Sequence, residues 1–324
     1  MRTDPMAPRP VRAESDAARA RRRVLLLGAS GRLGGAIATC AATLVGEWVT
    51  PPRATLALDA NDPYGCVERW FENWRPDTVV NCIALGDVDL CEAEPALARQ
   101  VNTSLPAALA RACARSGARL IHFSTDFVFD GALRRPYRED DAPRPLSVYG
   151  ESKLAGEREI ADTACQHWIF RVSWLYGAPA RNLAADLLDP SNAGRVIRLA
   201  TDRFGVPNPV QLLAAEVTRC IARDRAGSDP APASGVYHLS CHGATTWHAF
   251  GLAFVREATR AGRLAADRAP RIEGIEEASL GRPARRPAWS ALDPSRYERS
   301  FERRLPTWEA AIALALESPP AGPA

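Results

Sequence analysis

Short, uninterrupted apolar runs alternate with stretches of helical spacing along most of the chain. The first run, residues 24–27, has the pattern of a strand buried on both faces of a parallel sheet. Further strand-like runs fall at 47–50, 55–58, 78–83, 119–123 and 168–172. Between them, apolar positions recur at helical spacing over about 34–43, 66–74 and 96–116. Such alternation predicts βαβ units, and so an α/β fold with a doubly wound parallel sheet covered by helices on both faces. Beyond Trp174 the alternation becomes irregular, with Pro and Gly clustered at 203–209 and 229–235 and short runs such as 236–240. The expectation is one domain over 23–173 and a smaller lobe over 174–317, with a return segment to the first domain near 206–226. Residues 1–22, rich in Arg, Ala and Pro, read as a disordered extension, and 318–324 as a Pro-rich tail.

Composition narrows the class. At 324 residues, 46% hydrophobic and 24% charged, the chain can build its own core. A net charge of +3, with 41 basic residues interleaved among 38 acidic ones, gives no support for nucleic acid as a partner. Only one of the 41 basic residues is a lysine, Lys153. Arginine serves wherever a generic positive charge suffices, so Lys153 marks a place where a guanidinium does not replace an ammonium. The eight cysteines show no C-x-x-C pair or zinc spacing, and with no secretory leader legible they read as free thiols of a cytoplasmic protein. The apolar stretch after Arg21-Arg22-Arg23 imitates a membrane anchor, but Gly28, Ser30, Gly31, Arg32 and Gly34 interrupt it, so no membrane partner is expected.

Those glycines have a chemical reading. Gly28, Gly31 and Gly34 form G-x-x-G-x-x-G directly after the first strand and at the start of a helix. That arrangement lets backbone and helix N-terminal N–H groups approach a pyrophosphate, with Ser30, Arg32 and Leu33 in the same turn. The acidic residue that would accept the ribose hydroxyls of NAD is missing after the second strand, where Pro51-Pro52-Arg53 stands instead. Arg53 can face a 2′-phosphate, which points to NADP(H) as preferred cofactor, with NAD(H) possible. A second constellation is Tyr149 and Lys153, one helical turn apart, with Ser124-Thr125-Asp126 just beyond a strand. An ammonium beside a phenol lowers the phenol's pKa and brings proton transfer towards neutral pH.

Taken together, these residues resemble the extended short-chain dehydrogenase/reductase superfamily, and within it the dTDP-4-dehydrorhamnose reductase family. The likeness runs from Val24 to about Leu316. It is carried by Arg75-Pro-Asp-Thr-Val-Val-Asn81, Glu92-Ala-Glu-Pro95, Ser124-Thr-Asp-Phe-Val-Phe-Asp-Gly131, Ser147-Val-Tyr-Gly-Glu-Ser-Lys153, Asp202-Arg-Phe-Gly-Val-Pro207, Thr245-Thr-Trp-His248 and Arg286-Pro-Ala-Trp289. The resemblance implies a Rossmann-type domain, a smaller C-terminal lobe holding a dTDP-linked nucleotide sugar, and reduction of a 4-keto group in deoxysugar biosynthesis by a monomer or homodimer. Tyr149 would protonate the carbonyl oxygen, Lys153 would hold the nicotinamide ribose and tune Tyr149, and Thr125 would hydrogen-bond the carbonyl. Asp59 and Ala60 would lie beside the adenine, Cys82 and Ser124 along the cofactor, and Asn81, Ala84 and Asn102 along the cofactor or the site floor. Gly86, Val88, Asp126, Trp174 and Arg286 would face the sugar nucleotide.

Phe127 stands where nucleotide-sugar dehydratases place a glutamate, so elimination lacks its acid and base. The chain departs from the family at Gly86, Leu90 and Arg203, where a threonine, a lysine and a glutamine are usual. These departures leave open a specialised 4-keto sugar of an antibiotic pathway, including a streptose-type sugar. A cofactor-binding regulatory subunit is the other alternative, against which the retained Tyr149, Lys153 and Thr125 argue. His238 and His242 fall at a strand and its end, so no metal site is expected there.

Overall fold

The computed structural model describes residues 23–44, 46–56, 62–178, 182–225 and 231–317. Six strands form one parallel sheet: β1 (Arg23–Leu27), β2 (Glu47–Val49), β3 (Thr78–Asn81), β4 (Arg119–Thr125), β5 (Gln166–Val172) and, after a strand β6 (Val196–Ala200) outside the sheet, β7 (Gly235–His238). The spatial order is β7-β5-β4-β3-β1-β2. Alternate residues of each strand feed different cores, because successive side chains leave a strand on opposite faces. Val24 and Leu26 pack with Val80, Ile121, Trp168 and Phe170 on one side, while Leu25 and Leu27 pack with Val79, Leu120 and Ile169 on the other.

Helices α1 (Arg32–Ala41) and α6 (Val210–Arg225) cover the first face, through Leu33, Ile37, Leu213 and Val217. Helices α2 (Pro63–Trp74) and α4 (Leu105–Ser116) cover the second, through Val67, Trp70 and Leu109. Helix α5 (Val148–Ala161) adds Ile160 to that second core, and α3 (Val88–Ala93) follows β3 in the chain. A third core joins α7 (Trp247–Arg260) and, after α8 (Ser295–Phe301), α9 (Trp308–Glu317), through Phe250, Phe254, Trp308 and Ile312. Beside it β6 pairs in parallel with β8 (Arg271–Ile275). Among the described residues no helix is long and apolar enough to cross a membrane.

Three local readings of the sequence are corrected. The run at 55–58 was expected as a strand, but Arg53–Leu56 is a 3₁₀ turn, with residues 57–61 outside the described residues. The run at 236–240, expected in the smaller lobe, supplies β7, which pairs with β5 in the central sheet. The helix expected over 96–116 is interrupted by a π turn at Gln100–Ser104, where Leu105 N–H reaches back to Gln100. Pro106 lacks the N–H that would bond the Asn102 carbonyl, so the ladder widens just before it.

Candidate active site

The chain reverses its direction of sheet growth between β1 and β3, and the crevice at their carboxyl ends is where open α/β sheets bind ligands. Gly28 follows β1 with φ +80°, and a Cβ there would stand 2.9 Å from the Cys82 backbone. A Cβ on Gly34 would overlap the Gly28 carbonyl. The glycines thus bring the turn, α1 and the end of β3 into backbone contact. Gly31 caps α1 without a side-chain bond, so the first N–H groups of the helix remain for a ligand.

Two cavities meet at this turn. One, of about 650 Å³, is lined by Gly28, Ser30, Gly31, Arg53, Cys82 and Ala84. The other, of about 620 Å³, shares Gly31, Cys82 and Ala84 and continues past Arg32, Leu33, Gly86 and Val88 to Ser124, Thr125, Asp126, Tyr149, Lys153, Trp174 and Arg286. Nearly all the residues expected at a site therefore line one continuous groove. Asp59 and Ala60 lie outside the described residues.

Tyr149 and Lys153 sit on α5, whose N-terminus is capped by Ser147 Oγ accepting from Gly150 N–H at 3.2 Å. Gly150 lies against the Phe127 carbonyl and Gly156 against the Asn102 carbonyl, so only glycine allows the helix this close to its neighbours. The Tyr149 ring meets Phe127 edge-on at 5.6 Å between centroids. Burial pushes its hydroxyl up to about 12, with the neighbouring Thr125 side chain acting the other way. The expected lowering by Lys153 is not found. Lys153 Nζ turns instead to the Phe123 carbonyl at 2.6 Å and to His122 Nε2 at 3.3 Å, and burial lowers it to about 8.

Other expected residues serve the frame of the site. Asn81 Oδ1 accepts from Ile83 N–H at 3.0 Å, and its nitrogen meets His122 Nδ1 at 3.1 Å. Asn102 holds Leu85 through both its N–H and C=O and reaches Ser152 Oγ at 3.1 Å. Neither asparagine is among the residues lining the two cavities, but each holds one that is, Asn81 through Ile83 and Asn102 through Leu85. Asp126, expected at the substrate, is buried and accepts from Thr125 (3.1 Å), Ser173 (3.0 Å) and Ser290 (2.5 Å), tying β4 to the second lobe. Burial raises its pKa. Ser124 Oγ, by contrast, is buried on the groove wall with no hydrogen-bond partner.

A family model described as the RmlD substrate binding domain matches residues 22–319. A dTDP-4-dehydrorhamnose reductase of Salmonella typhimurium is 35% identical over 254 residues, covering 78% of this chain and 83% of that one. One from Streptomyces griseus is 39% identical, covering 74% and 75%. The chain belongs to the dTDP-4-dehydrorhamnose reductase family. Its members by name are oxidoreductases. The solved dTDP-4-dehydrorhamnose reductase of Bacillus anthracis, in complex with NADP, superposes with a TM-score of 0.78 at 26% identity, covering 91% of this chain and 98% of that one.

Several residues on the groove of this family member escaped the sequence reading. Trp247 stacks on Trp174 at 3.9 Å between centroids, with Trp174 held at φ +41°. The buried carboxylate of Glu277 sits among Arg282 at 3.5 Å and Arg203 and Arg286 at 3.8 Å. Arg203 is almost fully buried, lowered by burial to about 10, and lies over the Phe127 ring. Arg203 and Trp247 fall inside motifs the sequence displays, but nothing in the sequence pairs Glu277 with them across 74 residues. Among the described residues no group of His, Cys, Asp and Glu is placed to hold a metal ion.

Proposed function

We propose that this chain reduces the 4-keto group of a dTDP-4-dehydro-6-deoxy sugar, with NADPH preferred to NADH. The observation that carries the reading is the placement of Tyr149, Lys153 and Thr125 together on the wall of a cavity that begins at the glycine turn. The residues present fit a nicotinamide dinucleotide. Gly28 and Gly34 leave the backbone bare for a pyrophosphate, Ser124 Oγ is an orphaned polar group on the wall, and Arg53 lines the adjoining cavity where a 2′-phosphate would sit. The chemistry such a coenzyme supplies when bound is hydride.

The chain's own groups supply the rest. Tyr149 Oη gives its proton to the substrate carbonyl oxygen, and the Thr125 hydroxyl on the same wall, by turning its one hydrogen from Asp126 to that oxygen, steadies it as charge develops. A phenol whose pKa stands near 12 keeps its proton throughout the neutral range, as a donor in the reductive direction must. Phe127, edge-on to Tyr149, keeps water from the phenol and offers no acid or base for elimination. The stacked Trp174 and Trp247 form a flat wall suited to a sugar or base, and Arg198, Arg203, Arg282 and Arg286 make that end of the cavity a site for a diphosphate.

Incubation with NADPH and dTDP-4-dehydrorhamnose tests the reading. The expected result is loss of the nicotinamide absorbance matched by a dihydro sugar nucleotide. Absence of turnover with every dTDP-4-keto-6-deoxy sugar supplied would overturn it.

A further inference from the structure

Two carboxylates line the cavity that holds Tyr149, and they stand differently. Asp126 is committed to three hydroxyl donors, those of Thr125, Ser173 and Ser290. Glu277 is not: among the described residues neither of its enclosed oxygens accepts a hydrogen bond. Three guanidiniums surround its Oε1, Arg282 at 3.5 Å and Arg203 and Arg286 at 3.8 Å, held by charge alone. Arg286 spends its other nitrogens on Asp89 at 2.7 Å and the Ala284 carbonyl at 2.9 Å. Arg203 differs, since its side chain is only 6% exposed and its Nε has no partner. Leaving buried charged groups without hydrogen bonds costs free energy, which a ligand that supplies them recovers. The juxtaposition is built into the backbone, because the Glu277 N–H donates to Asp202, the residue before Arg203, at 2.9 Å.

At 3.8 Å, Arg203 Nη1 and Glu277 Oε1 are too far apart to bond each other. One hydroxyl group satisfies both, accepting from the guanidinium and donating to the carboxylate. A phosphate oxygen only accepts, so it would serve Arg203 and leave Glu277 bare. The two side chains part to admit a hydroxyl without giving up a hydrogen bond to each other. Their place in the cavity narrows which hydroxyl it is. Arg203 lies over the Phe127 ring at 5.0 Å, and that ring meets Tyr149, while Arg282 and Arg286 stand on the Glu277 side. In a sugar with its C4 carbonyl at Tyr149 and its diphosphate on C1, the hydroxyls between these ends are those on C2 and C3. We propose that Arg203 and Glu277 are a specificity-determining pair that binds a C2 or C3 hydroxyl, so that the chain selects a hydroxylated keto sugar over its deoxygenated counterpart. The proposal rests on the reading of this cavity as the sugar-nucleotide site. The glutamine usual in the family at position 203 carries no charge to hold a carboxylate opposite it, so the pair is a feature of this chain rather than of the shared chemistry.

Binding of sugar nucleotides that have no ketone to reduce tests the pair without turnover. dTDP, dTDP-glucose and the 2-deoxy and 3-deoxy forms of dTDP-glucose are titrated calorimetrically into the full chain. The unmodified protein is expected to bind dTDP-glucose about tenfold or more tighter than one of the two deoxy forms, because a site built to bond a hydroxyl is left unpaired without it. Glu277→Met keeps the length of the side chain and removes the acceptor, and it should bring the two affinities to within about threefold of each other. Arg203→Gln, which installs the residue usual in the family, should narrow the same gap. A role of Glu277 as mere counter-ion to the arginines predicts instead that all four nucleotides, dTDP included, shift by one common factor. That result, a gap that survives in Glu277→Met, or equal binding of the three sugar nucleotides by the unmodified protein would each overturn the proposal. Equal binding of the sugars beside firm binding of dTDP would sink the pair alone and leave the proposed reduction standing, whereas failure of dTDP itself to bind would sink both.

Discussion

Asp89 and Arg286, 197 residues apart in sequence, meet at 2.7 Å between carboxylate and guanidinium, and Asp89 also accepts from Ala284 N–H at 3.0 Å. The contact clasps α3 to the 284–286 segment on the cavity wall. The Arg286 hydrogen bond holds the Asp89 carboxyl below its usual range. A depressed folded-state pKa contributes stability that is present above the unfolded value and lost as pH falls through the folded one. Asp89→Asn is expected to cost about 1–2 kcal/mol at neutral pH and to raise KM for the sugar nucleotide with little change in kcat. Urea midpoints measured across the acid range should converge with those of the unmodified protein. A deficit that persists undiminished in acid would contradict the account.

Glu157 and Arg171 form a bidentate pair with both side chains almost fully buried, at 2.9 and 2.7 Å. Glu157→Gln leaves the guanidinium buried without its counter-charge, and the expected loss is about 3–5 kcal/mol in denaturant unfolding. A loss of only a few tenths would mean that water or another anion reaches Arg171.

Arg53 lines the cavity next to the glycine turn, in the 3₁₀ segment that replaces an expected strand. If it meets a 2′-phosphate, Arg53→Ala lowers kcat/KM for NADPH about tenfold or more and leaves that for NADH nearly unchanged. Equal losses with both coenzymes would remove Arg53 from the specificity argument.

Gly34 rests against the Gly28 carbonyl, with no room for a methyl group. Gly34→Ala is expected to push α1 away from the turn and weaken coenzyme binding about tenfold or more, as read by fluorescence titration. Unaltered affinity would show that the turn yields without cost.

What could be read from sequence follows from what local pattern encodes. The buried strands 24–27, 119–123 and 168–172, the glycine turn and the one-turn spacing of Tyr149 and Lys153 are set within a few residues of chain, and each appears where expected. Long-range pairing is another matter. The placement of β7 beside β5 depends on a partner more than 60 residues earlier, and the Glu277 arginine cluster joins separate loops. Spacing put Lys153 on the face of Tyr149, yet only the structure reveals the Phe123 carbonyl and His122 that turn its Nζ aside. Nor does sequence show that Asn81 and Asn102 spend their polar atoms on the backbone of Ile83 and Leu85 and on the side chains of His122 and Ser152. The 3₁₀ turn at Arg53–Leu56 defeated a reading based on apolar content alone, since Pro51 and Pro52 precede it.

The central claim is that the Tyr149 phenol delivers the proton to the reduced carbonyl. Tyr149→Phe removes one hydroxyl from a buried position and keeps the ring against Phe127. Single-turnover reduction by this variant, measured beside its NADPH affinity, is the most direct test. The account predicts a rate lower by about 10²–10⁴ with coenzyme affinity unchanged. A variant that still reduces its sugar at the unmodified rate would contradict it.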